Sequence, residues 1–98
     1  VDDAVTLGVR VIGNRPNPFN PVTNIAFSMP ATAEAQLAIF DIAGRRVATL
    51  VDGEVTAGCH EVVWNGTNET GDPVASGVYF SRLAAMGQEH SVKMVLLK

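Results

Sequence analysis

The chain has 98 residues, 47% of them apolar, which is enough for one domain with its own core and too apolar for a disordered segment. Seven lysines and arginines against ten aspartates and glutamates give a net charge of −3 without any basic run, which argues against a nucleic-acid-binding protein. The single cysteine, Cys59, excludes an intrachain disulfide. The apolar runs are too short for a transmembrane segment.

The first third of the chain predicts two strands joined by a rigid corner. Residues 5–12 are rich in β-branched side chains and predict the first strand. Residues 14–21 then place three prolines and three asparagines around Phe19. Proline fixes φ and removes a backbone donor, so we expect an ordered, extended corner in which Phe19 points inward. Residues 23–29 alternate cleanly and predict a second strand, with a buried face formed by Ile25, Phe27 and Met29.

The segment 33–42 is compatible with two structures. Ala33, Leu37 and Phe40 have helical spacing, whereas Leu37 and Ile39 fit a strand. We favour the strand, because the segment is short and lies between Pro30 and Gly44.

The remaining segments predict four more strands. Residues 45–51 form a hairpin with the preceding strand across a turn at 41–44, and Asp52-Gly53 predicts the next turn. Residues 59–65 predict a strand that places Trp64 at the centre of the core. Strands at 77–83 and 91–98 follow, separated by a tight turn at 86–88. Both faces of the last strand are apolar, which predicts an internal strand or an edge covered by a neighbouring domain.

Seven short antiparallel strands in 98 residues predict an all-β, immunoglobulin-like sandwich without a disulfide. No catalytic constellation accompanies this fold. Hydrolase, metalloprotease and phosphate-loop motifs are absent from the sequence, and His60 and His90 lack the spacing of a metal site. The sequence therefore predicts a non-enzymatic protein without a cofactor.

A polar loop at 65–72 is a weak candidate for calcium, because oxygen-bearing side chains alternate along it near two glycines. It lacks a bidentate glutamate at the required offset, so we favour a turn held by its own side chains. Two glycosylation sequons begin in the same loop. The calcium candidates are Asn65, Asn68, Glu69 and Asp72.

Six segments of the chain form a pattern in a fixed order: NRPNPFNP (14–21), TNIAFSMP (23–30), FDIAGRRVATL (40–50), AGCHEVVWNG (57–66), ASGVYFSRL (75–83) and KMVLLK (93–98). Together they resemble the C-terminal sorting domain of proteins exported by the type IX secretion system. The same pattern is similar to the immunoglobulin-like domain of the flagellar hook-capping protein. The chain departs from the sorting-domain pattern only slightly: Asn65 replaces an aspartate, Phe40 replaces a tyrosine, and Cys59 occupies a variable position.

The resemblance implies a sorting-type domain at 14–98, with 1–13 as a linker or first strand. It implies a non-catalytic C-terminal domain of a secreted bacterial protein, read by the secretion translocon or the surface-attachment machinery and preceded by a cargo domain. The implied location is secreted, or at the outer-membrane surface of a Gram-negative bacterium, after passage through the periplasm. The recognition residues that it implies are those of the last strand: Lys93, Met94, Val95, Leu96, Leu97 and Lys98.

An alternative remains open, namely a structural immunoglobulin-like spacer or interaction module appended to an enzyme. Such a module would be hook-cap-like or would contact carbohydrate. A terminal strand can be recognised by edge pairing, in which alternate side chains provide specificity. Lys93 and Lys98 are equally compatible with an ordinary solubilising role on a sequence basis.

Overall fold

The computed structural model of the chain describes residues 8–97, which form two antiparallel sheets and contain no helix. No helix capable of crossing a membrane is therefore found in that range. One sheet has the strand order β1-β2-β5 and the other the order β4-β3-β6-β7. The strands are β1 (Arg10–Arg15), β2 (Thr23–Met29), β3 (Ala33–Asp41), β4 (Arg46–Val55), β5 (Gly58–Trp64), β6 (Gly77–Ala85) and β7 (Gln88–Leu96).

The core lies between the two sheets and is built from alternate residues of each strand. In β2, the predicted face of Ile25, Phe27 and Met29 is buried. Leu37 and Ile39 of β3 are fully buried against it from the opposite sheet. Every second side chain of a strand lies on the same face of its sheet, so these alternate residues fill the space between the two sheets. The predicted immunoglobulin-like sandwich and the strand at 33–42 are thus confirmed.

Three details differ from the sequence prediction. The first strand runs from Arg10 to Arg15, and residues 5–7 of the predicted strand lie outside the described range. The predicted turn at Asp52-Gly53 is wrong, because β4 continues to Val55. β4 is the end strand of its sheet, where a glycine opposite Ala35 of β3 is tolerated. Of the two predictions for the last strand, the internal position is also wrong, since β7 lies at the opposite end of the same sheet, and the edge covered by a neighbouring domain stays a prediction.

The turn between β3 and β4 is organised by the carboxylate of Asp41. Its Oδ1 accepts hydrogen bonds from the backbone N–H groups of Ala43 (3.0 Å) and Arg45 (2.9 Å), and its Oδ2 accepts one from Arg45 Nε (3.1 Å). Gly44 adopts a φ of 85°, a conformation that other residues rarely enter. The pKa of Asp41 is lowered, mainly by the hydrogen bond from the backbone N–H of Arg45. Desolvation opposes this shift, and the positive charge of Arg45 adds to it.

This carboxylate makes stability depend on pH. A lowered pKa in the folded state means that the ionised form stabilises the fold above the unfolded pKa, and that this stabilisation disappears as the pH falls through the folded pKa. We expect Asp41→Asn to lower the free energy of unfolding at about pH 7, and the difference from wild type to vanish at about pH 2. Urea unfolding at both pH values measures this. The control is Asp52→Asn, because Asp52 is an exposed residue of β4. An equal loss of unfolding free energy in this control would contradict the role of the Asp41 carboxylate.

A cluster of three aromatic side chains joins the two sheets at one end of the sandwich. Trp64 of β5 is 1% exposed and contacts Phe19 (ring centroids 5.6 Å apart) and Tyr79 of β6 (5.5 Å). The indole N–H of Trp64 donates to the carbonyl of Thr67 at 2.9 Å, and the Tyr79 hydroxyl donates to the carbonyl of Ala75 at 2.6 Å. The pKa of Tyr79 is raised, mainly because burial disfavours the charged form, and the negative charge of Asp41 raises it further. The predicted burial of Trp64 in the core is confirmed.

Truncation of Trp64 tests the weight of this cluster. We expect Trp64→Ala to cost about 3–5 kcal/mol of unfolding free energy, because it empties a large space shared by both sheets. Trp64→Phe should cost less, since the ring contacts are partly kept while the bond to Thr67 is lost. Guanidinium unfolding measures both. A cost below about 1 kcal/mol for the alanine variant would contradict a core role.

Candidate recognition strand and its clamp

The predicted recognition residues alternate between the core and the surface of β7. Met94 and Leu96 are fully buried, whereas Lys93 is exposed and Val95 half-buried. Leu97, which directly follows the strand, is 52% exposed. Lys98, the last of the predicted set, lies outside the described range. A partner of the folded domain can therefore contact the side chains of Lys93, Val95 and Leu97, while Met94 and Leu96 hold the strand in place.

The outer edge of β7 is occupied at its carboxyl end by the proline-rich segment. The Phe19 N–H donates to the Val95 carbonyl at 3.0 Å, and the Leu97 N–H donates to the Phe19 carbonyl at 2.9 Å. The Val95 N–H donates to Oδ1 of Asn17 at 3.0 Å. Phe19 and Leu96 thus form a parallel bridge. We call Asn17, Phe19 and these three hydrogen bonds the clamp.

The clamp is itself anchored in the core and in the neighbouring loop. The Phe19 side chain is 2% exposed and packs against Trp64. At the end of the segment, Pro21 lies against Gly66, where an added Cβ would come within 3.1 Å of the Pro21 carbonyl oxygen. Gly66 also has a φ of 76°, so both its conformation and its contact require glycine. The expected inward position of Phe19 is confirmed, whereas the corner bends at 16–18 and 20–21 and its first two residues belong to β1.

At its other end, β7 contacts β1 and the residue before it through two side chains. Gln88 Oε1 accepts a hydrogen bond from the Val9 N–H at 3.2 Å, and His90 Nδ1 accepts one from the Val11 N–H at 2.9 Å. These side chains satisfy backbone donors on the outer edge of β1, which pairs only with β2. His90 therefore has a structural role here.

Only a short part of the β7 edge stays open. In an antiparallel pair, the backbone groups of alternate residues point away from the partner strand. Val95 points away from β6, since both of its backbone groups bond to the clamp, and the unbroken register gives Glu89, Ser91 and Lys93 the same direction. Within residues 8–97, no other backbone group bonds to this side of these three residues. Edge pairing by a partner strand is thus confined to this three-residue window unless the clamp opens.

The side chains of the loop 65–72 bond mainly to one another. Asn68 Oδ1 accepts from the N–H groups of Thr70 and Asp72, both at 3.0 Å. Asn65 Oδ1 accepts from the Thr67 hydroxyl at 2.6 Å, and Glu69 Oε2 accepts from the Thr49 hydroxyl of β4 at 2.9 Å. Among the described residues, no group of three or more histidine, cysteine or acidic side chains is placed to hold a metal ion. A calcium site at Asn65, Asn68, Glu69 and Asp72 stays a prediction.

Sequence reasoning identified the proline-rich segment and the last strand but missed that they bind each other. The two segments are about eighty residues apart, and no local pattern encodes a single parallel bridge. One feature of the sequence does indicate that this segment bonds to another part of the chain. Prolines flank Phe19 at 18 and 21, so the few remaining backbone N–H groups of the segment need acceptors elsewhere.

The clamp can be tested by removing one of its hydrogen bonds. We expect Asn17→Ala to cost about 1 kcal/mol and to raise the amide exchange rate at Val95, because the only acceptor of that N–H in the clamp is lost. Native-state hydrogen exchange by NMR measures the rate. Asn20→Ala is the matched control, since Asn20 is exposed in the same segment. Unchanged protection of Val95 in the Asn17 variant would refute the clamp.

Comparisons with solved structures agree with this architecture. Dimeric latent PorU from Porphyromonas gingivalis matches with a TM-score of 0.72 and 20% identity, over 89% of this chain and 9% of that chain. PorZ, a surface component of the type IX secretion system of the same organism, matches with a TM-score of 0.62 and 22% identity, over 97% of this chain and 12% of that chain. The alkylpurine DNA glycosylase AlkC of Pseudomonas fluorescens matches with a TM-score of 0.51 and 18% identity, over 92% of this chain and 29% of that chain.

These likenesses establish the fold, and this chain spans only about a tenth of PorU and PorZ. No curated protein matches the chain. The sequence pattern of the FlgD Ig-like domain family matches residues 13–89, from β1 to the start of β7. The chain therefore belongs to the FlgD Ig-like domain family.

Proposed function

We propose that this domain is a non-catalytic sorting and surface-attachment module of a secreted bacterial protein. The observation that carries the proposal is the structure of β7. Its inner side chains are locked in the core, while Lys93, Val95 and Leu97 face outward beside a clamped edge. A signal that is read after folding needs such a rigid, accessible strand, because a pre-ordered epitope avoids the entropic cost of ordering on binding.

The partners in this proposal are the secretion translocon or the surface-attachment machinery, together with an upstream cargo domain. The site of action is the outer-membrane surface of a Gram-negative bacterium, or the medium, after passage through the periplasm. The sequence resemblance to type IX sorting domains and the shared fold with PorU and PorZ support this proposal.

The alternative is a structural spacer within a longer protein. One observation favours it: the family match ends at residue 89, so the shared pattern covers the sandwich but not the outward residues of β7. In a spacer, Lys93 and Leu97 would be ordinary surface residues, and β7 would only complete the core.

Export of a reporter fused ahead of the domain separates these two functions. Deleting residues 92–98 is unsuitable, because it removes the buried Met94 and Leu96 and so unfolds the domain. The double variant Lys93→Glu with Leu97→Asp changes only exposed side chains. We expect it to leave the reporter in the periplasm of a type IX-competent host, with an unchanged melting temperature of the purified domain.

The matched control is Arg10→Glu with Ile12→Asp, which makes the same changes on the exposed side of β1. This control should reach the cell surface as the wild type does, measured by protease accessibility of the reporter on intact cells. Normal export of the β7 double variant would reject the sorting function and leave the spacer.

A further inference from the structure

The two histidines of the chain form opposite kinds of hydrogen bond with the backbone. The N–H of Val11 on β1 donates to Nδ1 of His90 on β7 at 2.9 Å. In the other bond, Nε2 of His60 on β5 lies 2.7 Å from the carbonyl oxygen of Thr56, which can only accept. Nδ1 of His90 is therefore an unprotonated acceptor, whereas Nε2 of His60 carries a proton and donates. We call the bond between Val11 and His90 the latch.

Protonation of the rings breaks the latch and keeps the other bond. A neutral imidazole has one donor and one acceptor nitrogen, whereas an imidazolium ion has two donors. The bond from His60 to Thr56 survives, because Nε2 carries a proton in both forms. In His90, a protonated Nδ1 would place its N–H against the N–H of Val11. Histidine is the side chain that gains charge between about pH 8 and pH 5, so acid acts on the latch selectively.

The surroundings of His90 favour the neutral ring. The residue is half-buried and lies on the inner face of β7, as do Met94 and Leu96. Val11 of β1 is buried, and Leu83, which pairs with His90 on β6, is fully buried. An apolar setting of this kind disfavours a charge that has no partner.

Charged side chains on the neighbouring strands point away from the ring. The two strands that pack against His90 carry Arg10 and Arg82 next to buried residues, so alternation turns both cations to the outer faces. Arg82 approaches Glu89 there at 4.0 Å. Tyr79, on the inner face of β6, belongs to the aromatic cluster at the other end of the sandwich. Within residues 8–97, His90 forms no ion pair that could hold its protonated form in place.

The rest of β1 does not depend on the latch. The strand stays paired with β2, and Val11 stays packed in the core. Gln88 Oε1 accepts from the Val9 N–H at 3.2 Å and does not titrate. Loss of the latch therefore frees one backbone donor on the outer edge of β1 and leaves the fold intact.

We propose that the latch is a pH-sensitive contact between the two sheets, which opens when His90 is protonated. His90 lies between Glu89 and Ser91, whose backbone groups belong to the open window of the β7 edge. Opening the latch exposes the Val11 N–H beside this window, so acid adds a second unpaired edge to the side on which β1 and β7 meet. The latch acts on the isolated domain and does not depend on a sorting function.

Native-state hydrogen exchange of the whole chain, followed by NMR, tests the latch. Protection factors, which correct for the intrinsic effect of pH on exchange, are compared at about pH 7.5 and about pH 5. We expect the protection of the Val11 amide to fall about tenfold at the lower pH, because one hydrogen bond is lost. Protection of Val95 should change by less than about twofold, since the clamp contains no titratable side chain.

Two variants assign this response to one ring. In His90→Asn, Oδ1 takes the place of Nδ1 and accepts without titrating, so Val11 should stay protected at both pH values. The matched control is His60→Gln, which keeps a donor at the position of Nε2 and should retain the wild-type response. An equal response of Val11 in wild type and His90→Asn would overturn the proposal, as would an equal fall at Val95. So would nitrogen chemical shifts that place a proton on Nδ1 of His90 at about pH 7.5.

Discussion

Phe19 connects the two sheets through different parts of the same residue. Its ring packs against Trp64, which belongs to β5 of the three-stranded sheet. Its backbone N–H and carbonyl bond to β7, the end strand of the four-stranded sheet. Packing between two sheets is non-directional. The bonds of Phe19 add a direction at the carboxyl end of β7, as the side chains of Gln88 and His90 do at its other end. They hold the last strand beside the aromatic cluster.

The local features of this fold could be predicted from the sequence because their physical causes are local. Alternation in residues 23–29 identified β2 and its buried face, and the single tryptophan identified a core position that contacts both sheets. The mistake at Asp52-Gly53 has a tertiary cause. This dipeptide is typical of turns, but at the end of a sheet β4 continues through it by pairing with β3.

The candidate site was predictable only in part, because it too depends on contacts between segments that are distant in the sequence. The resemblance pointed to residues 93–98, yet alternation alone could not show which end of a sheet β7 occupies or which segment covers it. The clamp depends on Asn17, about eighty residues away. The position of β7 at the end of its sheet and its register with β6 follow from packing of the whole chain.

Lys93 combines two kinds of access for a partner. Its backbone lies in the open window of the β7 edge, and its side chain is exposed on the sheet face. The clamp holds the residues that follow it. A partner that approaches the domain here meets a rigid surface formed by a strand edge and a sheet face.

The end position of β4 has a consequence for solubility. A ten-residue strand with one unpaired edge is a template on which a second chain can add, and this is how many β-proteins begin to aggregate. Asp52 and Glu54 stand on this strand, and Glu54 lies directly opposite Glu34 of β3. Facing carboxylates cost some stability in the single molecule. The same carboxylates repel an identical strand that approaches edge to edge, so they oppose the addition of a second copy of the domain at β4.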